Sequence, residues 1–178
     1  MNIANSARLS YQLIDESDSE FLFQLDQDPE VMRYINNGVM TTREDISDIY
    51  IPRLNAYKNV DKGWGLWKVT VIDTKQDIGW ILVRPMDFFS DKPIWHDIEL
   101  GWRFFQSTWG KGYATEAAIQ VQKALAKQQQ KNNQTQVKVD NATPQAEMVS
   151  GTVEGSEKPT LALDKESLAE RGYLIDNG

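Results

Sequence analysis

The sequence predicts an α/β fold in which a mixed, mostly antiparallel sheet is flanked by helices. Residues 64–72 alternate between two strand faces, the polar segment 74–77 turns the chain, and an apolar run follows from 78 to 83, which together are typical of a β-hairpin. A further strand is predicted over Ile94 to Phe104, and a glycine turn leads from it into a helix with apolar residues at four-residue steps. A run of strands that ends in a strand-turn-helix unit makes a mixed α/β layer.

The elements before the hairpin follow from local signals. Ala7 to Ile14 is predicted as the first strand, and the segment 17–20 reads as a capping box that opens a helix ending near Pro29. The segment 41–44 is predicted as a second capping box, and Pro52 is expected to kink or end the helix that follows. Pro85 is expected in a loop, together with Pro93, between the hairpin and the next strand.

Composition limits the classes of function. The chain has 178 residues, no cysteine, one histidine and a net charge of −7. It therefore has no disulfide, no thiolate nucleophile and no common zinc site, and acyl chemistry would have to go directly to an acceptor. The acidic balance argues against nucleic acid and mildly favours a cationic or amine-bearing substrate. No apolar run suggests a membrane span and no leader suggests secretion, so we expect no membrane partner and a cytoplasmic location.

The glycine turn has the features of an anion site. Gly110 and Gly112 carry no side chains that would block an approaching group, and the helix that starts at Gly112 presents unpaired N–H groups at the positive end of its dipole. The spacing fits neither a P-loop nor a dinucleotide fingerprint. On its own a Gly-x-Gly turn is equally explained by a backbone that merely requires positive φ.

The surrounding residues resemble a known family. Trp109-Gly110-Lys111-Gly112-Tyr113-Ala114-Thr115-Glu116-Ala117, preceded by Glu99-Leu100-Gly101, and the earlier segment from Asp28 to Ile35 resemble the GNAT-type N-acetyltransferases, in the branch that includes the ribosomal-protein N-terminal (alanine) acetyltransferases. The resemblance covers about Ala7 to Lys127. It implies a GNAT-like sheet, acetyl-CoA as cosubstrate without a metal, and transfer of acetyl to a primary amine on a protein N-terminus, a lysine or a small molecule.

The resemblance also implies which residues contact the cofactor. A bulge in the strand of Glu99 would free backbone N–H groups for pantetheine and the thioester carbonyl, and the glycine turn would hold the pyrophosphate. The predicted cofactor-binding residues are Trp102, Arg103, Phe104, Trp109, Gly110, Lys111, Gly112, Tyr113, Ala114, Thr115 and Asn141. For Lys111 a solvated surface role is nearly as good an explanation, and the tryptophans are explained equally by core packing.

Glu99 is the predicted catalytic base, acting directly or through water. A carboxylate is a weak base unless burial raises its pKa, and the neighbourhood of Trp95 and Trp102 is expected to supply such burial. A structural hydrogen-bonding role is the equal alternative, and Asp97, on the same strand face, is the other candidate base. His96 is expected to be structural, and Ser107 and Thr108 lack the Gly-x-Ser-x-Gly turn of a hydrolase.

The last third of the chain differs in character. Residues 1–126 form the predicted acetyl-CoA-binding core, whereas 127–178 begin with a Gln/Asn/Lys-rich run and contain only Tyr173 of the chain's aromatic residues. Gln136 to Val139 is a candidate fifth strand, with Asn141 in the turn after it. Divergence, an unrelated extension and a reading-frame shift each explain the change. The main alternative function is therefore that of a non-catalytic CoA-binding or structural protein. A third possible function is an interaction module that uses an exposed sheet edge. A homodimer is also possible.

Overall fold

The computed structural model describes residues 1–33, 35 and 38–140, with the backbone alone described for 132–140. The sheet has the order β1-β2-β3-β4, so each strand pairs antiparallel with its neighbour in sequence. The strands are β1 (Leu9–Leu13), β2 (Gly65–Val71), β3 (Asp77–Met86) and β4 (Ile94–Phe104). The predicted α/β class is confirmed, and β4 has the predicted bounds.

Helices surround the sheet on both sides. A 3₁₀ turn (Glu16–Asp18) leads into α1 (Ser19–Leu25), and α2 (Pro29–Met32) follows. The next helical stretch consists of α3 (Arg43–Asp45), a π-helical segment (Ile46–Tyr50) and α4 (Ile51–Tyr57). After β4 come a 3₁₀ turn (Gln106–Thr108) and the long helix α5 (Tyr113–Asp140).

Both predicted capping boxes are displaced along the chain. The first is formed by Asp15 and Asp18, with the Asp15 carboxylate 2.9 Å from the Ser17 N–H that donates to it. The second is formed by Thr42 and Asp45, one residue after the predicted position, with Thr42 Oγ1 3.0 Å from the Asp45 N–H. Thr41 is buried instead and donates to Asp26 over 2.7 Å. A long-range partner thus decides which of two adjacent threonines caps the helix.

The two prolines also lie differently from the prediction. Pro52 does not end its helix: it sits in the first turn of α4, where its missing N–H is tolerated, directly after the wide π turn. Pro85 lies within β3 and pairs with Ile98, rather than in a loop. It is tolerated there because the β2 pairing ends at Val83, which leaves that side of β3 without a strand, and because the β4 register shifts right after it.

Two apolar cores lie on opposite faces of the sheet. Side chains alternate along β3, so Ile81 and Val83 pack toward α5, whereas Trp80 and Leu82 pack toward α1 and α4. On α5 the predicted stripe is confirmed, with Ala117, Val121 and Leu125 all buried. The two faces of β3 and β4 therefore meet different sets of helices. The glycine turn before α5 belongs to one face, and the pocket against α1 and α4 belongs to the other.

Helix α5 runs further than the sequence indicates. Residues 136–139, the candidate fifth strand, are helical and belong to α5. The predicted boundary between 126 and 127 falls inside the same helix. Asn141 and the rest of 141–178 lie outside the described residues.

Candidate active site

The glycine turn before α5 is open. Gly110 and Gly112 have φ of +70° and +72°, the left-handed region that favours glycine. A Cβ built on Gly110 would meet no heavy atom of the described residues within 4 Å, and one on Gly112 would meet only Arg8 Nη2, at 3.7 Å. The turn is therefore a cradle that a side chain at either position would fill.

The backbone N–H groups of this turn are available to bind a ligand. Among the hydrogen bonds of the described residues, none has its donor N–H between Lys111 and Thr115. The first backbone bond at this end of α5 runs from the Glu116 N–H to the Gly112 carbonyl, over 3.0 Å. Several N–H groups at the helix start thus have no acceptor among the described residues, as an anion site requires.

Arg8, which directly precedes β1, lies beside the turn and was not singled out by sequence reasoning. Its Nη1 donates to the Lys111 carbonyl over 3.0 Å, its Nε donates to Glu116 over 2.7 Å, and its guanidinium lies 4.4 Å from the centre of the Tyr113 ring. The arginine therefore fixes the turn from one side and places a cation at its mouth. No local signal could have found it, because its partners lie more than 100 residues away.

Glu116 anchors this arrangement in the first turn of α5. It accepts hydrogen bonds from Ser6 Oγ (2.7 Å), the Arg8 N–H (2.9 Å) and Arg8 Nε (2.7 Å). Burial alone would raise the pKa of Glu116, but the hydrogen bonds from Ser6 and Arg8 outweigh it, so the pKa is lowered. Tyr11 donates to Ser6 over 3.0 Å, and burial raises the pKa of its phenol to about 12.

The other side chains of the turn point back toward the protein. Lys111 Nζ donates to the Ser107 carbonyl over 2.8 Å, and Trp109 Nε1 donates to the Phe104 carbonyl over 2.9 Å. Ala114 is buried against the core below α5, Tyr113 is half-buried and Thr115 is exposed. Whatever binds here would therefore meet backbone first.

Strand β4 forms one edge of the described sheet, opposite β1, and offers the second set of backbone groups. Arg103 pairs with Trp80, and the Phe105 N–H donates to the Ile78 carbonyl over 3.0 Å. Because antiparallel pairs alternate, the N–H groups of Trp102 and Phe104 then point away from β3. The pairing is regular from Ile98 to Phe104, and the register shift lies just before Glu99, between Ile94 and Ile98.

Glu99 is buried, with its side chain 3% exposed, and is bound by Arg84 on β3. Arg84 Nη2 and Nε donate to its carboxylate over 2.8 and 3.2 Å. The tryptophans expected around it lie elsewhere: Trp95 is 57% exposed and stacks on Trp64, and Trp102 packs toward α5 on the other face of β4. The burial of Glu99 therefore comes from the sheet and its arginine partner.

The alternative candidates are placed as follows. Asp97 is half-buried and His96 is exposed, and both lie in the irregular stretch of β4 between Ile94 and Ile98. Ser107 is exposed, and the Thr108 hydroxyl donates to the Phe105 carbonyl over 2.7 Å. Neither hydroxyl is paired with His96 among the described contacts, so the residues do not form a hydrolase dyad.

A pocket of about 190 Å³ lies on the face of the sheet that carries Arg84 and Glu99. Its walls are mostly aliphatic and aromatic side chains of α1, α4 and the sheet, including Leu22, Leu54, Tyr57 and Trp80. Four charged residues also line it: Asp26, Arg53, Arg84 and Arg103. Sequence reasoning placed Arg103 only at the cofactor edge and missed the other three, since they come from separate elements.

Arg103 and Asp26 form a buried ion pair beneath this pocket. The guanidinium donates to the Asp26 carboxylate, which also accepts from Thr41, and the two charged side chains are 10% and 3% exposed. The Arg103 side chain therefore faces α1, while its backbone belongs to the β4 edge. Arg103 thus contributes its side chain to the pocket and its backbone to the edge strand.

The comparisons with known proteins identify the family of the domain. The sequence model of the acetyltransferase (GNAT) domain matches residues 8–149, which is most of the chain. The chain belongs to the GNAT acetyltransferase family.

Individual relatives are more distant. The chain is 28% identical over 119 residues to an FsC-acetyl coenzyme A-N(2)-transacetylase of Aspergillus fumigatus, and the match covers 66% of this chain and 49% of the relative. The chain thus spans about half the length of that curated relative. A GNAT-family acetyltransferase of Bacillus anthracis shares the fold with a TM-score of 0.55 and 24% identity, over 73% of this chain and 69% of the other. A probable acetyltransferase shares it with a TM-score of 0.51 and 15% identity, over 67% and 64% of the two chains.

Two features are absent from the described residues. No helix there has the length and apolar character needed to cross a membrane. In the same part of the chain, no group of three or more histidine, cysteine, aspartate or glutamate side chains is arranged to hold a metal ion.

Proposed function

We propose that this GNAT-family protein is an N-acetyltransferase that moves an acetyl group from acetyl-CoA directly to a primary amine. The observation that supports this most is the open glycine turn before α5, with amides that have no described protein acceptor. The name of the Aspergillus relative includes acetyl coenzyme A, which supports the choice of donor. The ribosomal-protein branch, with a protein N-terminus as acceptor, stays a prediction.

The pyrophosphate of the cofactor fits the cradle between Lys111 and Thr115. A Cβ at Gly110 would point into open space, so a ligand can approach the backbone there. The amide dipoles at the start of α5 favour negative charge, and the Arg8 guanidinium lies beside them. Gly110, Gly112, Tyr113, Ala114 and Thr115 would hold the diphosphate through backbone groups, with Lys111 and Arg8 supplying positive charge.

The β4 edge would hold the acyl end. The N–H groups of Trp102 and Phe104, which point away from β3, would donate to oxygens of pantetheine and the thioester. Acetyl-CoA supplies the activated acyl group, and the chain has no cysteine that could accept it first. The acetyl group would therefore pass to an amine that enters from the pocket on the Glu99 face.

Glu99 would receive the proton that the attacking amine must lose. It is buried next to the pocket, and Arg84, which lines the pocket, fixes its carboxylate through two hydrogen bonds. A fixed carboxylate can accept the proton directly or through water without reorganising. Arg84 then acts as a positioning residue for the base.

The same ion pair supports a second candidate function. A buried carboxylate bonded to an arginine across two strands also stabilises the sheet without any chemistry. In that case the protein would bind CoA through the glycine turn and transfer nothing. The two functions differ in what Glu99 does, and they share the cofactor site.

A pair of variants separates these functions. Gly112→Val places a branched side chain in the cradle at a φ of +72°, and we expect it to abolish acetyl-CoA binding in calorimetry. Glu99→Gln should keep the cofactor affinity within about twofold and lower kcat for an amine by about 10²-fold or more, the loss typical of a missing general base. The fold of each variant is checked by circular dichroism.

The control for the glycine variant is Gly38→Val. Gly38 has a similar φ of +83° and nothing within 4 Å of its Cβ position, but it lies far from α5 in sequence. It carries the same backbone strain without blocking the cradle, so its acetyl-CoA affinity should match wild type. Unchanged affinity in Gly112→Val would exclude the site, and wild-type protein that binds acetyl-CoA but acetylates no amine would favour the CoA-binding function.

A further inference from the structure

The pocket on the Glu99 face is more basic than the rest of the molecule. Three guanidinium groups line it, from Arg53, Arg84 and Arg103. Two described carboxylates compensate them: Asp26 pairs with Arg103, and Glu99 pairs with Arg84. This leaves one positive charge over, although the whole chain has a net charge of −7.

The excess charge belongs to Arg53. Its side chain lies on α4 at the exposed edge of the pocket, and no carboxylate among the described residues pairs with it. The guanidinium carbon lies 4.0 Å from the centre of the Phe89 ring, which holds it in place by a cation–π contact. Arg84 lies 5.4 Å from the same ring centre, so the two cations flank one phenyl group. Like charges that close together favour a bound anion.

A buried donor in the same pocket also lacks a partner. Arg103 is 9% exposed, and its Nε has no hydrogen-bond acceptor among the described residues. The group is expensive to bury unpaired, since an unsatisfied charged donor costs more than a neutral one. The buried guanidinium therefore adds positive potential at the base of the pocket, where an anion is favoured.

The walls and the charges together define the occupant. Leu22, Leu54, Leu66 and Leu82 supply apolar surface, and the volume of about 190 Å³ suits a small molecule. We propose, on the basis of the acetyl transfer proposed above, that the acceptor is a small primary amine that also carries a carboxylate and an apolar side chain, as an apolar amino acid does. Arg53 binds the carboxylate at the mouth of the pocket and determines this specificity.

The test compares acids with their amides. N-acetyl-L-leucine and N-acetyl-L-leucinamide, the product-like probes, are titrated into the full chain by calorimetry, and acetyl transfer from acetyl-CoA to L-leucine and L-leucinamide is followed by release of free CoA. We expect the acid to bind and react at least about tenfold better than the amide, the effect of one charge-assisted contact. Arg53→Gln should bring both ratios close to one without changing the affinity for acetyl-CoA, and Arg53→Lys should retain part of the preference.

Arg43→Gln is the matched control. Arg43 lies in the same helical stretch, is exposed and stacks on a phenyl ring, with its guanidinium 3.7 Å from the Phe23 ring centre, but it pairs with Glu20 and does not line the pocket. It should leave both ratios unchanged. Equal binding of acid and amide, no binding of either, or an acid preference that survives Arg53→Gln would each overturn the inference. A selective acid binder that acetylates no amine would instead contradict the proposed transfer and support the pocket's specificity.

Discussion

Glu116 connects the glycine turn to the first strand through a single carboxylate. It accepts from Ser6 and from both the backbone and the side chain of Arg8, and Arg8 in turn donates to the Lys111 carbonyl. As an acidic residue in the first turn of α5, it also interacts favourably with the helix dipole. The geometry of the cradle therefore depends on a residue that no cofactor atom needs to touch.

This role predicts a pH-dependent stability. Because the pKa of Glu116 is lowered in the folded protein, its ionised form contributes stability above the pKa of the unfolded chain, and this contribution is lost as the pH falls through the folded value. Glu116→Gln should lower the free energy of unfolding by about 1 kcal/mol at pH 7, as expected for lost hydrogen bonds to a charged group. The difference from wild type should shrink as the pH falls below about 4.5. Urea unfolding at pH 7 and pH 4 measures both values.

Glu20→Gln serves as the comparison for that measurement. Glu20 also pairs with an arginine, Arg43, but the two side chains are 60% and 57% exposed. Exposed pairs contribute about 0–1 kcal/mol, so the substitution should cost less than Glu116→Gln at pH 7. A Glu116→Gln penalty that is equal at both pH values would contradict the assigned role of the carboxylate.

At the scale of elements, the Asp26–Arg103 pair joins the end of α1 to β4 beneath the pocket. Removing one partner leaves the other buried and charged, so Arg103→Met should destabilise the fold by about 3–5 kcal/mol. Adding Asp26→Leu in the same chain should restore much of that loss, because no charge is then left unpaired. Urea midpoints of wild type, the single variant and the double variant measure the coupling.

The exposed Arg43–Glu20 pair is again the reference for the change in the free energy of unfolding. Arg43→Met, which breaks the contact with Glu20, should cost about 0–1 kcal/mol. If Arg103→Met costs no more than that, the pair is not a structural link between α1 and β4. The test bears on the pocket as well, since both buried residues line it.

The elements that the sequence predicted are those with local signals. The bounds of β4, the hairpin and the apolar stripe of α5 follow from periodicity within one segment. The positive φ of Gly110 and Gly112 follows equally from local turn chemistry. The second helix cap differs from the prediction because Thr41 bonds to Asp26, and Pro85 is accommodated in β3 because the pairing with β2 ends at Val83. Those outcomes depend on tertiary partners that no short window contains.

The same distinction explains what was found and missed at the site. The glycine turn could be predicted because its function is carried by consecutive backbone groups. Arg8, Arg84 and Arg53 could not, because each acquires its role from residues on other elements: Glu116, Glu99 and Phe89. Glu99 was chosen from its strand position, yet its surroundings are an arginine and not the expected tryptophans. Its role as a base stays a prediction.

At the scale of the whole molecule, the distribution of charge indicates the acceptor better than the net charge does. A net charge of −7 favours a cationic acceptor if the surface is taken as uniform. The pocket contradicts that uniform picture, since its arginines exceed its carboxylates by one. The acidic residues elsewhere disfavour polyanions in general, and the anion specificity proposed for the pocket depends on its local charge.

The most direct whole-molecule prediction concerns stabilisation by the cofactor. A ligand present at about 100 times its dissociation constant adds about 2.7 kcal/mol to the free energy of unfolding. For a chain of 178 residues this corresponds to an increase in Tm of about 5–10 °C. Acetyl-CoA should produce this increase in wild type and in Glu99→Gln, because the carboxylate lies on the face of β4 away from α5, and it should produce none in Gly112→Val. Thermal unfolding with and without acetyl-CoA needs no knowledge of the acceptor, and an equal shift in Gly112→Val would place the cofactor somewhere other than the glycine turn.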